Sequence, residues 1–441
     1  MYSTSMKTKF FALALISAAT LAVAQHRSMT VEQAIAIGID NSKTLHSSAS
    51  KAEGADAHVS EIDATRFPSL KFTGGYTRLS PVEPFTFSLP GSPIVDTLSP
   101  AVLNNWNFQL SFQQPLFTGF RLLNSSRLAS HSAEAAHFDY DKDRRDFIFN
   151  VRTAYWNVYK TIEFKKVVDQ TIDQASAHLK DVQNLLSQGM ATNNDALKVQ
   201  VQLSNAKFQQ LDAANNARMA SMALDNLIGL PLDTEIDVAS VASSQPRTFG
   251  ETKLLIQKAI EVRPDVKAME ERVKASDDVV NIANGGWWPQ VFLVANYTYA
   301  KPNSRIFPTV DEFKGTWSAG VSAAWDLGGL GTVGFQKTQA QASLAQSVDA
   351  LGLIKDGITL EVHQNALMLD KAKERIAVAQ EGVTQAEENL RVTNDRFKAG
   401  LILNSEVLDA EVLLQQSKMN FTQSVVDFEL AQAGLAKAIG E

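Results

Sequence analysis

The sequence predicts a mainly helical protein that also carries a few membrane β-strands. Three observations predict this class. The chain contains an internal duplication, its longest segments repeat apolar residues every three or four positions, and shorter segments alternate apolar with polar residues. Together they predict a duplicated helix–strand–strand–long-helix–helix protomer.

The duplication relates Val151–Gly229 to Val362–Gly440 at a constant offset of 211 residues and without a gap. Within it, Gly189 aligns with Gly400. A register kept over so long a span indicates two halves of one design, and such repeats are identified before any other feature.

Composition excludes several classes of protein. The net charge of −7 and the lack of a Lys/Arg-rich run give no reason to expect nucleic acid. The absence of cysteine excludes disulfides, thiolate metal sites and cysteine nucleophiles. None of the seven histidines stands in a recognisable metal motif, and no nucleophile is accompanied by a base. The sequence therefore predicts no metal, no cofactor and no enzyme.

Residues 1–24 are predicted to be a secretory signal peptide. Lys7 and Lys9 precede a short apolar core over 10–19, and Ala22-Val23-Ala24 forms a small-residue cleavage site. A membrane anchor is less favoured because the apolar core is short. No later stretch of 18 apolar residues occurs, so any insertion into a membrane must use strands.

The first structural repeat is predicted over residues 25–230. Its predicted elements are a helix over 28–66, strands over 69–79 and 105–115, and a helical hairpin over 121–229. Ser28-Met29-Thr30 offers an N-cap and Phe67-Pro68 stops the first helix. The hairpin contains no proline, and its seven-residue apolar repeat is typical of coiled-coil packing. A helix from residue 121 to 187 would be ~100 Å long.

Residues 231–250 are predicted to be a linker, and residues 251–441 repeat the first half. The second repeat is predicted to contain a helix over 251–287, strands over 290–300 and 316–326, and a hairpin over 332–440. Its first helix stops at Trp288-Pro289, as the earlier one stops at Phe67-Pro68. The connections Ser80–Asn104 and Lys301–Gly315 are rich in proline and are predicted to be loops.

The strand segments have one apolar and one polar face, which is typical of a membrane β-barrel. An ordinary amphipathic sheet on a soluble core is the alternative. The residues predicted to face lipid are Trp106, Phe108, Leu110, Phe112, Trp317 and Val321. The residues predicted to face a lumen are Asn107, Gln109, Ser111 and Gln113.

Four strands per chain cannot close a barrel, and open sheet edges are not tolerated in lipid. The smallest bacterial membrane barrels have eight strands. The chain must therefore assemble with further copies, and counting strands alone allows two copies or three.

The layout and the two hairpin tips resemble the TolC family of outer membrane efflux proteins, the outer membrane factors. The tips are Gln188–Leu197 and Lys398–Leu408, each with a glycine, an acid and then apolar residues. The resemblance covers essentially the whole mature chain. It implies a homotrimer in the outer membrane of a Gram-negative bacterium, with a 12-stranded β-barrel in the lipid continued by a 12-helix α-barrel in the periplasm.

The same resemblance implies partners and site residues. The partners would be a periplasmic adaptor (membrane fusion) protein and an inner-membrane transporter, in a tripartite efflux pump or a type I secretion system. Glu406, Asp409 and Asp195 would form a periplasmic aperture, although acids in a first helical turn can equally cap the helix. The residues that would contact the adaptor are Gly189, Met190, Gly400 and Leu401, although either glycine can simply terminate its helix. Ile402 departs from the family pattern, in which some members carry a basic residue.

The leading hypothesis is a passive exit duct for drugs, ions or secreted protein. The alternative is a secreted coiled-coil scaffold or adhesive tether with a soluble β head and no pore. A charge placed on the apolar strand face would impair only the membrane-spanning protein.

Overall fold

The computed structural model describes residues 27–83, 85–88, 91, 95–99, 101–234, 236–239 and 247–441. The predicted signal peptide and part of the predicted linker lie outside these residues. The described chain is mainly helical and contains one four-stranded sheet, so the predicted fold class is confirmed.

Each half contains two strands of the main sheet followed by a hairpin of very long helices. The elements of the first half are β1 (Arg27–Met29), α1 (Val31–Asn41), α2 (Lys43–Ala64), β2 (Ser69–Arg78), β3 (Phe85–Ser88), β4 (Val95–Ser99), β5 (Asn104–Phe117), α3 (Arg121–Ser187), α4 (Asn193–Ile228) and β6 (Ile236–Val238). Those of the second half are α5 (Thr252–Val262), α6 (Pro264–Asn284), a 3-10 turn (Gly285–Trp287), β7 (Gln290–Lys301), β8 (Lys314–Ala324), α7 (Leu330–Lys398) and α8 (Asn404–Ala438).

The first helix of each half is broken in two, where the sequence led us to expect one continuous helix. In the first half the break falls at Ser42, whose side chain accepts a hydrogen bond from the backbone N–H of Leu45 and so caps α2. In the second half Pro264 begins α6, and the preceding Arg263 has an extended backbone because proline disfavours a helical conformation before it.

The predicted Ser80–Asn104 loop contains a short antiparallel hairpin formed by β3 and β4. In a further small sheet β1 pairs in parallel with β6, which lies within the predicted linker over 231–250. Neither small sheet has the ten-residue alternation from which the main strands were predicted, and sequence analysis missed both.

The main sheet is antiparallel with the order β2-β5-β7-β8. Its central pair, β5 with β7, joins the first half of the chain to the second. Among the described residues, the two outer strands, β2 and β8, each have a neighbour on one side only.

The described chain divides into two compact units, and each has its own apolar core. The first unit comprises the described parts of residues 1–41, 151–244 and 379–426, and the second comprises those of 42–150, 245–378 and 427–441. The core of the first unit includes Val182, Val199, Leu390 and Val407, from four different helices. The core of the second is formed around Val266, Val362 and Leu435. Within the long helices the seven-residue apolar pattern supplies buried positions such as Val182, Leu390 and Val362.

No helix in the described part of the chain combines the length and the apolar character needed to cross a bilayer.

Candidate functional site

The register of the main sheet places most of its apolar side chains on one face. Leu110 pairs with Phe72 on one side and with Tyr297 on the other, and Tyr297 in turn pairs with Trp317. Since directly paired residues point to the same face, these side chains form a continuous row across four strands. The residues predicted to face lipid all lie on this face: Trp106, Phe108, Leu110, Phe112, Trp317 and Val321.

Aromatic contacts reinforce the apolar face. The rings of Tyr76 and Trp106 have centroids 4.5 Å apart, and the rings of Phe72 and Phe108 stack at 6.3 Å. Gly74 pairs with Phe108, and a β-carbon on this glycine would meet the Phe108 ring at 3.0 Å. Gly74 therefore leaves room for the Phe108 ring, which a larger side chain at this position would contact too closely.

The opposite face of the sheet is polar. Asn107, Gln109, Ser111 and Gln113, the residues predicted to face a lumen, all lie on it. Gln109 donates from Nε2 to the Oδ1 of Asn296 at 3.1 Å and to the Oγ of Ser111 at 3.2 Å. Such amide and hydroxyl groups suit water rather than hydrocarbon.

The edges of the sheet are open and apolar. All ten residues of β2 are exposed, and Leu70 and Phe72 stand among them. On the other edge, Trp317 and Val321 of β8 are also exposed. An exposed, apolar edge strand with free backbone groups is a template for pairing with another strand.

Both hairpin tips, which lie in the first unit, turn through a glycine with a left-handed backbone. Gly189 has φ of 74° and Gly400 has φ of 70°. The next residues, Met190 and Leu401, donate their backbone N–H five positions back, at 2.8 and 2.9 Å, which is the Schellman pattern of helix termination. The glycines thus end α3 and α7, and both Met190 and Leu401 are exposed beside them.

The acid of the first tip, Asp195, belongs to a capping box at the start of α4. Its carboxylate accepts from the backbone N–H and hydroxyl of Thr192 at 3.0 and 2.6 Å, and Thr192 Oγ1 accepts from the Asp195 backbone at 3.2 Å. The Thr192 hydroxyl lowers the pKa of this carboxyl. The geometry therefore gives Asp195 the capping role that the sequence left open as an alternative.

The acids of the second tip have a different environment. Glu406 and Asp409 are exposed and lie one helical turn apart at the start of α8. Two residues further on, Glu411 is only 3 % exposed, and its Oε2 has no hydrogen-bond partner among the described residues. Burial raises the pKa of Glu411 to about 7.

Sequence analysis missed Glu411 as well as the buried pair His178 and Asn404. His178 is 6 % exposed and contacts Asn404. No sequence signal marked this contact, because its two residues are 226 positions apart. In the described residues, no group of three or more His, Cys, Asp or Glu side chains could hold a metal ion.

A sheet with one apolar and one polar face, joined to hairpins of very long helices, defines the class of outer membrane channels. The chain belongs to the outer membrane efflux protein family, whose sequence model matches residues 14–230 and 255–441. The protein is therefore an outer membrane protein of the efflux and secretion channel family, and it is not an enzyme.

Relatives and solved structures agree with this assignment. The chain is 20 % identical to the outer membrane efflux protein BepC of Brucella suis, over 97 % of this chain and 89 % of that protein. It is 26 % identical to the alkaline protease secretion protein AprF of Pseudomonas aeruginosa, over 30 % of this chain and 28 % of that protein. The structure of the outer membrane protein VceC of Vibrio cholerae shares the fold with a TM-score of 0.76 at 18 % identity, covering 93 % of this chain and 96 % of that chain.

Proposed function

We propose that three copies of this chain form a passive exit duct through the outer membrane. The single observation that carries the proposal is the four-stranded sheet with an apolar face, a polar face and two open edges. If β8 of one copy pairs with β2 of the next, three copies close a barrel of twelve strands. The apolar face then lies against lipid and the polar face lines water.

Exposed apolar residues on the helices support assembly of this kind. On α7, Leu353, Leu360 and Leu367 are exposed and seven residues apart. On α4, Phe208 and Leu211 are likewise exposed. Apolar residues at heptad spacing are covered by another helix in a coiled coil, and we assign that role to helices of neighbouring copies in a twelve-helix barrel.

The duct would serve an inner-membrane transporter through a periplasmic adaptor protein, in a tripartite efflux pump or a type I secretion system. The names of two relatives, an efflux protein and a protease secretion protein, support these two kinds of transport system. Gly189, Met190, Gly400 and Leu401 would contact the adaptor. The exposed positions of Met190 and Leu401 support that assignment.

We assign the proposed periplasmic aperture chiefly to Glu406 and Asp409. Three-fold symmetry would bring like carboxylates of three copies together, which favours cations in a narrow opening. Both side chains are exposed, as this role requires. The carboxylate of Asp195 is already engaged by Thr192, so its contribution would be limited to its charge.

The experiment is to extract the protein from outer membranes in detergent and record single channels in planar bilayers. We expect discrete conductance steps from a trimer, with a preference for cations. A scaffold or tether without a pore would give no conductance, and that result would reject the proposal.

A further inference from the structure

The turn of the second hairpin, residues 399–403, is flanked on both sides by contacts with α3. Before the turn, the ring of Phe397 packs edge-on against His178, with 5.2 Å between the ring centroids. In the same place Lys398 Nζ lies 3.4 Å from Asp181 Oδ2. After the turn, Asn404 contacts the same His178. The imidazole thus touches the end of α7 and the start of α8.

Asn404 joins three helices through one side chain. Its Nδ2 donates to the backbone carbonyl oxygen of Asp195 at the start of α4, at 3.2 Å. Its Oδ1 is therefore the acceptor for His178, whose Nε2 donates at 2.7 Å. Asn404 is 3 % exposed, and burial lowers the pKa of the His178 imidazole, which favours the neutral ring with its proton on Nε2.

The hydrogen bonds of Asn404 to His178 and to Asp195, called the link from here on, hold the beginning of α8. This helix carries the aperture acids. Asn404 is the first residue of α8, Glu406 follows two residues later, and Asp409 lies within the next turn. Because a helix moves as a rigid element over so short a distance, the position of Asn404 determines where these two carboxylates lie.

Apolar packing alone would not fix the position of α8 along α3 and α4. Val407 and Val182 belong to the core of the same unit, and apolar contacts of this kind tolerate sliding of one helix along another. The two hydrogen bonds of this one buried amide are satisfied in only one arrangement, because leaving a buried donor or acceptor unpaired is unfavourable. The amide therefore selects one register of α8 against α3 and α4.

We infer that His178 and Asn404 are positioning residues that hold the start of α8 against the first hairpin and thereby keep the aperture acids in their closed arrangement. This inference rests on the proposed function as a channel. Release of the link would let the tip of the second hairpin move away from the first, and the aperture would widen.

Single-channel recording in planar bilayers tests the inference, since it reads only channels that have folded and assembled. We expect His178→Ala to raise the ratio of open to closed time on the order of tenfold, as the loss of one buried hydrogen bond would. Asn404→Ala should raise it at least as much, because it also removes the bond to the carbonyl oxygen of Asp195. The double variant should not exceed Asn404→Ala, because that substitution already removes the bond that His178→Ala breaks. His178→Gln retains an N–H donor and should remain near the wild type.

Ser424→Ala is the matched control. Ser424 is buried on α8 in the same unit, but its hydroxyl donates within its own helix, to the carbonyl oxygen of Asn420 at 2.8 Å. We expect this variant to gate like the wild type. A general loosening of α8 by any lost buried hydrogen bond would instead change the gating of both Ser424→Ala and Asn404→Ala.

Variants that conduct and gate as the wild type does would overturn the inference while leaving the channel intact. A wild type that does not conduct would overturn the proposed function instead. Hydrogen exchange of residues 399–410 in the purified protein tests the link independently of conduction and of the Asn404 variant. His178→Ala should speed the exchange of these amides, and His178→Gln should not. Equal exchange rates in the two variants would overturn the inference.

Discussion

Replacing the buried Glu411 by glutamine should stabilise the tip of the helical hairpins at neutral and alkaline pH. Glu411 lies in the core of the first unit beside Ala410, and burial raises the pKa of its carboxyl from the ordinary 4.5 to about 7. Glutamine has the same shape and no charge to bury. The substitution therefore removes only the free energy of placing an ionised carboxylate in an apolar core.

The magnitude follows from the difference between the two pKa values. Below pH 4.5 the carboxyl is protonated in both the folded and the open state, so its ionisation has no effect on stability. Between pH 4.5 and about 7 the open state loses its proton while the folded state keeps it, so stability falls as the pH rises. Above about pH 7 the loss is complete and amounts to about 3 kcal/mol.

The assay is hydrogen exchange of peptides within residues 404–426, measured from pH 4.5 to 8.5 and corrected for the intrinsic exchange rate. It reports the free energy of local opening of α8. We expect the advantage of Glu411→Gln over the wild type to grow from pH 4.5 to about pH 7 and to stay level above that. Glu406→Gln, an exposed acid on the same helix, is the matched control and should show no such growth. An advantage that is constant with pH would refute the reasoning.

Three further predictions concern the strands, the tip and the first unit. Phe108→Lys on the apolar face should weaken membrane assembly by about 2–4 kcal/mol and deplete the heat-resistant oligomer in outer membranes. Gln109→Lys on the polar face is its control and should assemble. Equal assembly of the two variants would contradict the assignment of the faces. Glu406→Ala combined with Asp409→Ala should raise single-channel conductance or reduce the preference for cations. If both quantities are unchanged, these acids only stabilise the start of α8 through the helix dipole. Tyr155→Phe removes a buried hydroxyl that donates to the Met29 carbonyl oxygen of β1 at 2.8 Å, while that oxygen keeps its bond from the Ala239 backbone N–H. The variant should lower the free energy of unfolding by about 0.5–1.5 kcal/mol in urea titrations, and an unchanged midpoint would show that this bond adds nothing.

The long elements could be predicted from the sequence because their periodicity is repeated many times. The alternation of Trp106 to Phe112 marked β5, and the structure extends that strand by one residue at its start and two at its end. The proline-free heptad pattern likewise marked α3 and α7. A local pattern also explains the two breaks, since Ser42 is a capping residue and Pro264 a helix-starting one.

The buried polar residues could not be predicted, because their roles depend on contacts between distant parts of the chain. Asn404 reads as an ordinary capping residue, yet its partners are 226 and 209 positions away. Glu411 differs from the exposed Asp409 by only two positions, and the apolar repeat does not show which polar neighbour turns inward. The short pairing of β1 with β6 is also long-range and carries no alternation of its own.

The central claim is that copies of the chain share one sheet through the edges β2 and β8, and cysteine cross-linking tests it most directly. The chain has no cysteine, so every disulfide would come from the introduced residues. One cysteine replaces Thr73 on β2, and the second replaces Thr316, Ser318 or Ser322 on the same polar face of β8.

Oxidation of outer membranes that contain these double variants should give a covalent ladder that ends at three chains, and each single variant should give none. A ladder that ends at two chains would contradict the twelve-stranded barrel. A chain that stays monomeric at every pairing would contradict the shared sheet itself.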